Sequence, residues 1–158
     1  MSRPARFGAI LVLVLSCTLG CNWVGPRVFR VPTGAMEPTI KAGDLVLVML
    51  WPAENAKVGR GDIIVFRDPE KPESLYVKRA VAIGGNTVEL REGNLFLDGL
   101  PYHEPYVLKS AVDPLETFGP VKVPEGHIFV MGDNRASSRD SRSFGTLPLK
   151  SVVGWVVF

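Results

Sequence analysis

Beyond residue 25 the chain carries no long stretch of helical periodicity. Its apolar residues fall instead into short runs rich in β-branched side chains, each closed by glycine or proline. Residues 44–51 lie between Gly43 and Pro52, and residues 62–66 follow Gly59-Arg60-Gly61. Residues 74–83 end at Gly84-Gly85, and residues 87–91 and 94–98 flank Glu92-Gly93 as a hairpin. Residues 127–131 and 152–158 close the series. Such text specifies strands and tight turns, because the runs are too short for helices and their boundaries favour reversal. Sixteen glycines and thirteen prolines among 158 residues exceed the usual share of about 12% and agree with it. The expected fold is mainly β: one antiparallel domain over residues 27–158, with residues 100–120 as a proline-punctuated loop.

Ahead of that domain, residues 7–26 contain no charge. As a helix they would cover about 30 Å, one bilayer core. Arg3 and Arg6 precede the stretch and Trp23 stands near its far end. The favoured reading is a single uncleaved transmembrane helix over residues 7–26, after a short cytoplasmic segment at residues 1–6. A cleaved signal peptide competes, because the most apolar part, residues 9–15, is short. A lipidation site at Cys21 also competes, although Thr18 stands where such a site prefers a larger aliphatic residue. Arg27 and Arg30 nearly balance Arg3 and Arg6, so only the terminal amine tips the count toward an exported domain.

Both cysteines, Cys17 and Cys21, lie in this stretch, so the domain has no disulfide, thiol nucleophile or cysteine-based zinc site. A formal charge of +2 argues against nucleic acid as a partner. The run at 44–51 is apolar at alternate positions on both faces, with Val46, Val48 and Leu50 opposite Leu45, Leu47, Met49 and Trp51. Burial on both sides is the expectation, with lipid contact through one face as the alternative.

The only histidines, His103 and His127, occupy no triad or metal context. A catalytic base would therefore be sought in a lysine whose pKa burial has lowered. Strand alternation places Lys78 beside Tyr76, Ala80 and Ala82, a face without opposite charge. Two more segments are distinctive. Residues 31–40 form a small-residue turn between prolines, and residues 132–142 read Gly-Asp-Asn-Arg-Ala-Ser-Ser-Arg-Asp-Ser-Arg, in which Asp140 and Arg142 are spaced to pair.

Together with Tyr76-Val-Lys-Arg79 and Gly61-Asp-Ile-Ile-Val-Phe66, these blocks resemble the type I signal peptidases, membrane-bound serine proteases that remove signal peptides from exported proteins. The likeness spans the anchor and nearly all of the domain. It implies preprotein signal peptides and the lipid bilayer as partners, and no metal or cofactor. It also implies cell-membrane localisation with an extracytoplasmic catalytic domain.

Carried over residue by residue, the resemblance assigns Lys78 as general base. Thr33, with the backbone N–H of residue 35, contributes to the oxyanion hole. Ser138 orients the lysine amine, and Asp140 and Arg142 support the site. The family's nucleophile is the second serine of Pro-Ser-Gly-Ser-Met-x-Pro-Thr. Here that pattern reads Pro32-Thr-Gly-Ala-Met-Glu-Pro-Thr39, so the nucleophile position is Ala35, which has no hydroxyl. Two origins fit Ala35: deliberate serine replacement of an enzyme, favoured by the retained Lys78, Thr33 and Ser138, or a natural signal-peptide-binding pseudoenzyme. A lipoprotein or pilus-type accessory module is the reading from another class. Pilin-processing and conjugation-linked peptidases share the motifs and differ in substrate.

Overall fold

A computed structural model describes residues 25–51 and 57–157. Eleven strands form two sheets there. They are β1 (Gly25–Arg30), β2 (Leu45–Leu50), β3 (Ile63–Arg67), β4 (Leu75–Ile83), β5 (Thr87–Arg91), β6 (Asn94–Leu97), β7 (Leu100–Pro101), β8 (Phe118–Lys122), β9 (His127–Met131), β10 (Leu147–Pro148) and β11 (Val152–Val157). The large sheet runs β1-β2-β11-β3-β4-β9-β10 and the small one β7-β6-β5-β8. Every ladder among the described residues is antiparallel. The mainly β antiparallel expectation therefore holds, with strand bounds close to those read from the sequence. The single turn α1 (Ser141–Phe144) is the one α-helix among the described residues.

Strand β3 sits near the centre of the large sheet and is buried on both faces, which is why its sequence is an unbroken apolar run. Ile63 and Val65 pack with Met36, Ile40, Val46 and Val48, while Ile64 and Phe66 pack with Ile128, Val130 and Leu147 on the opposite side. A third cluster joins the sheets, where Val88, Leu90, Leu95 and Leu97 meet Phe129 and Met131. Each of these fully buried large side chains contributes about 1.5–3 kcal/mol over its exposed state.

The hairpin at Glu92-Gly93 is as expected: Arg91 pairs with Asn94, and both turn residues have positive φ, at 50° and 73°. That is the twist a two-residue β-hairpin needs.

Three expectations are corrected. Residues 100–120 are not wholly loop: they hold β7, a 3-10 turn at Lys109–Ala111 and the start of β8. Strand β8 escapes a propensity reading because it contains Gly119 and Pro120, tolerated at the sheet edge where β8 pairs only with β5. Strand β2 is buried on one face only. Val46 and Val48 are covered, whereas Leu45 is 71% and Leu47 42% exposed. The β4–β9 register shifts between Ala80 and Ala82, so Ala82 packs between the sheets instead of continuing the face of Lys78.

Strand β1 begins at Gly25, inside the range 7–26 read as an anchor. Residues 7–24 of that range lie outside the described residues. Among the described residues no helix is long and apolar enough to cross a membrane.

Candidate active site

Strand β4 carries Lys78 into the middle of the large sheet, where it opposes Ile64 of β3. The side chain is 5% exposed. Its Nζ donates to the Val77 carbonyl at 3.1 Å and lies 5.5 Å from the centre of the Tyr76 ring. Burial disfavours the charged amine and lowers its pKa from 10.5 to about 8, although Asp140 and Asp133 partly oppose this by attraction. Both carboxylates come from the 132–142 segment and not from β4, so inspection of the strand alone does not find them.

The turn between β1 and β2 brings Ala35 to the same place. Thr33, Ala35, Tyr76, Lys78, Ser137 and Arg139 share one cavity of about 250 Å³. Neither histidine lines it. The turn is fastened from across the site: the Asn134 backbone N–H donates to the Ala35 carbonyl, and the Asn134 side-chain amide to the Gly34 carbonyl, each at 3.1 Å. Gly132 is required by close approach, since a Cβ there would run into the Ser138 hydroxyl and stand 2.5 Å from the Ala35 carbonyl oxygen.

Asp140 is fully buried and organises the other side. It accepts from the Ser138 hydroxyl at 2.7 Å, from the Gly132 N–H at 3.0 Å, and from Arg142 Nε and Nη2 at 2.9 Å each. It also caps α1 by accepting from the Arg142 N–H. Burial alone would raise this carboxyl; the Arg142 guanidinium and the Gly132 and Ser138 donors outweigh it and hold the pKa below the usual carboxylate range. Arg142 continues to Glu116 at 2.9 Å and to the Arg135 carbonyl at 2.8 Å. The Asp140–Arg142 pair read from the sequence is therefore present. The Ser138 hydroxyl, expected to face the lysine amine, donates to Asp140.

Three further residues belong to the site although their local sequence gives them no part in it. Asp133 and Asn134 read only as turn residues, and Arg79 only as part of a strand. Asp133 takes a two-pronged grip from Arg79 at 2.8 and 2.7 Å and accepts the Thr39 hydroxyl, tying β4, the 132–142 segment and the residue-35 turn together. One signal in the sequence points that way. Arg79 is followed by the apolar run 80–83, and an arginine drawn into an apolar strand needs a carboxylate from elsewhere in the chain.

Residues 5–158 match the family described as Signal peptidase, peptidase S26. The chain belongs to the signal peptidase family. A Synechocystis sp. protein named probable signal peptidase I-1 is 35% identical over 156 residues, covering 94% of this chain and 77% of that protein. Signal peptidase I of Bacillus licheniformis is 38% identical over 153 residues, covering 92% of this chain and 81% of its own length. The crystal structure of a signal peptidase I from Enterococcus faecalis V583 superposes with a TM-score of 0.56 at 34% identity, over 65% of this chain and 98% of that one. A signal peptidase is a serine protease.

Proposed function

We propose that the chain is the framework of a membrane-bound Ser/Lys-dyad endopeptidase that receives signal peptides of exported preproteins, and that Ala35 leaves it able to bind and unable to cut. One observation carries the reading: the residue-35 turn and the buried amine of Lys78 line the same cavity, where burial lowers the amine's pKa to about 8. An amine with this pKa is part neutral at physiological pH and can accept a hydroxyl proton. Thr33 and the backbone N–H of residue 35 would stabilise the oxyanion, a service worth about 3–4 kcal/mol per donor in serine proteases. Asp140 would fix Ser138, and Ser138, whose oxygen can still accept, would orient the amine. Arg142 keeps Asp140 ionised. No metal or cofactor enters this chemistry.

The reading places the domain on the outer face of a cell membrane, held by a single span that ends before β1 at Gly25, within residues 7–24 of the range 7–26, with residues 1–6 in the cytoplasm. The exposed apolar face supports it. Val28 of β1, Leu45 and Leu47 of β2, and Val157 of β11 stand 40–71% exposed on neighbouring strands. Trp51 extends the patch, its ring centre 5.3 Å from that of Trp155 and tilted by 37°. A patch of this kind on a sheet edge just after an uncharged stretch suits the acyl-chain boundary of a bilayer.

Two measurements test the reading. Mixed with a preprotein in detergent, the chain as written gives a cross-linked complex and no mature product. Mature product formed faster than in buffer would defeat the inactive reading, and failure to form the complex would defeat the peptidase one. In vesicles, a variant keeping Trp51 as its only tryptophan is quenched by brominated acyl chains. Unquenched fluorescence from vesicle-bound protein removes lipid from the list of partners.

A further inference from the structure

Arg139 stands between Ser138 and Asp140 and lines the cavity, with partners on other segments. Its guanidinium Nη1 reaches Asp68 Oδ2 at 3.1 Å and the Tyr76 hydroxyl at 3.3 Å, and Nη2 reaches Glu70 Oε2 at 2.6 Å. The same group lies 5.9 Å from the Tyr76 ring centre and 5.6 Å from that of Phe144. Glu70 is an exposed partner and adds little. Asp68 differs: its side chain is 2% exposed, and it also accepts the Glu70 backbone N–H at 3.0 Å and bonds the Tyr76 hydroxyl. It is a fixed post on the turn after β3.

Three sides of the cavity come from three chain segments: Thr33 and Ala35 from one turn, Tyr76 and Lys78 from β4, and Ser137 and Arg139 from the loop before α1. Inward, that loop is held by the Asp140 bonds. Toward the turn after β3, its ties are those of Arg139 to Asp68, Glu70 and Tyr76. This clamp joins the second and third sides at Tyr76, as Arg79 and Asp133 join them deeper in.

We propose that Arg139 is a specificity-determining residue: clamped on Asp68 and Tyr76, it fixes the third wall of the cavity so that small uncharged side chains are accepted and larger ones refused. This rests on the peptidase reading above. The planar guanidinium, on a side chain 38% exposed, is held over the cavity by two anchors, and one methylene in a pocket so bounded is discriminated about 10–200-fold.

The test uses the full chain in detergent and measures affinity for synthetic signal-peptide fragments. These carry alanine or leucine at the first, and then at the third, position before the cut. The chain as written favours alanine. Arg139→Ala and Arg139→Met, the second keeping an unbranched chain without the guanidinium, reduce that preference about tenfold at one or both positions. A merely structural role would weaken both peptides alike and leave the ratio unmoved. An unchanged ratio in folded Arg139→Met overturns the proposal, as does the absence of any preference in the starting chain. Failure of that chain to bind either peptide, together with failure of Ala35→Ser to cut either, is a different result: it defeats the peptidase reading and the proposal with it.

Discussion

Ala35→Ser is expected to convert the chain into an endopeptidase that cuts preproteins after small residues at the third and first positions before the scissile bond. The expected gain is on the order of a millionfold in kcat, because loss of the nucleophile alone costs about that much in a serine protease whose other groups remain. The site is prepared for the substitution. The Ala35 carbonyl is already held by Asn134, the turn is tied to β4 through Asp133, and one added oxygen enters a cavity that Lys78 shares. Mass spectrometry of the product N-terminus in detergent or liposomes reads the outcome. An Ala35→Ser variant that folds, binds the preprotein and leaves it intact would defeat the Ser/Lys reading.

Legibility in the sequence varies with the range of the interaction concerned. Strands β2 to β6, β9 and β11 are readable because each is a run of β-formers with its own turn chemistry. Strand β1, Gly-Pro-Arg-Val-Phe-Arg, has no such composition and exists because β2 offers it a ladder from Gly25–Leu50 to Arg30–Leu45. Strand β7 has a local signal in Asp98-Gly99, a hairpin pair with φ of 53° and 79°, but the polar, proline-punctuated text after it masks so short a strand. The exposed face of β2 departs from expectation because an apolar alternation tells how greasy a face is and not what covers it. The site divides similarly. Position 35 and Lys78 can be read from local motifs, whereas the carboxylates acting on Lys78, 55 and 62 positions further along, depend on how β4 and β9 pair.

The arginines follow the same logic. Arg79, Arg135 and Arg142 are buried or nearly so, each on a carboxylate: Asp133, Glu104, and Asp140 with Glu116. A buried ion pair is weak evidence for stability, but breaking one leaves an uncompensated charge. These three pairs converge on the 132–142 segment from β4, from the 102–106 loop and from within the segment itself. They hold Gly132, Asn134 and Ser138 against the residue-35 turn, where an irregular backbone would otherwise have several arrangements available. The two-sheet fold thus places the lysine, and the ion pairs place what faces it.

In the Ala35→Ser background, Lys78→Met is expected to reduce kcat/KM by about 10⁴, the upper range for loss of a positioned base. The pH profile with Lys78 present gives the reason. Only the neutral amine accepts the hydroxyl proton, so with a pKa of about 8 the rate climbs tenfold per pH unit below 8 and levels above it. At pH 6 it is about one hundredth of the plateau. Stability moves the other way on substitution. The unfolded chain holds its lysine proton up to about 10.5 and the folded chain only to about 8, so charging the buried amine opposes folding. That penalty, about 3 kcal/mol, is full below pH 8 and disappears as the pH rises from 8 to 10.5. Methionine fills the space without a charge, so Lys78→Met is expected to be more stable than its parent at pH 7 while being nearly inert. Chemical denaturation and kcat/KM measured on the same preparation separate the two effects. A level rate between pH 6 and 8, or substantial activity in the folded Met variant, would show that another group takes the proton.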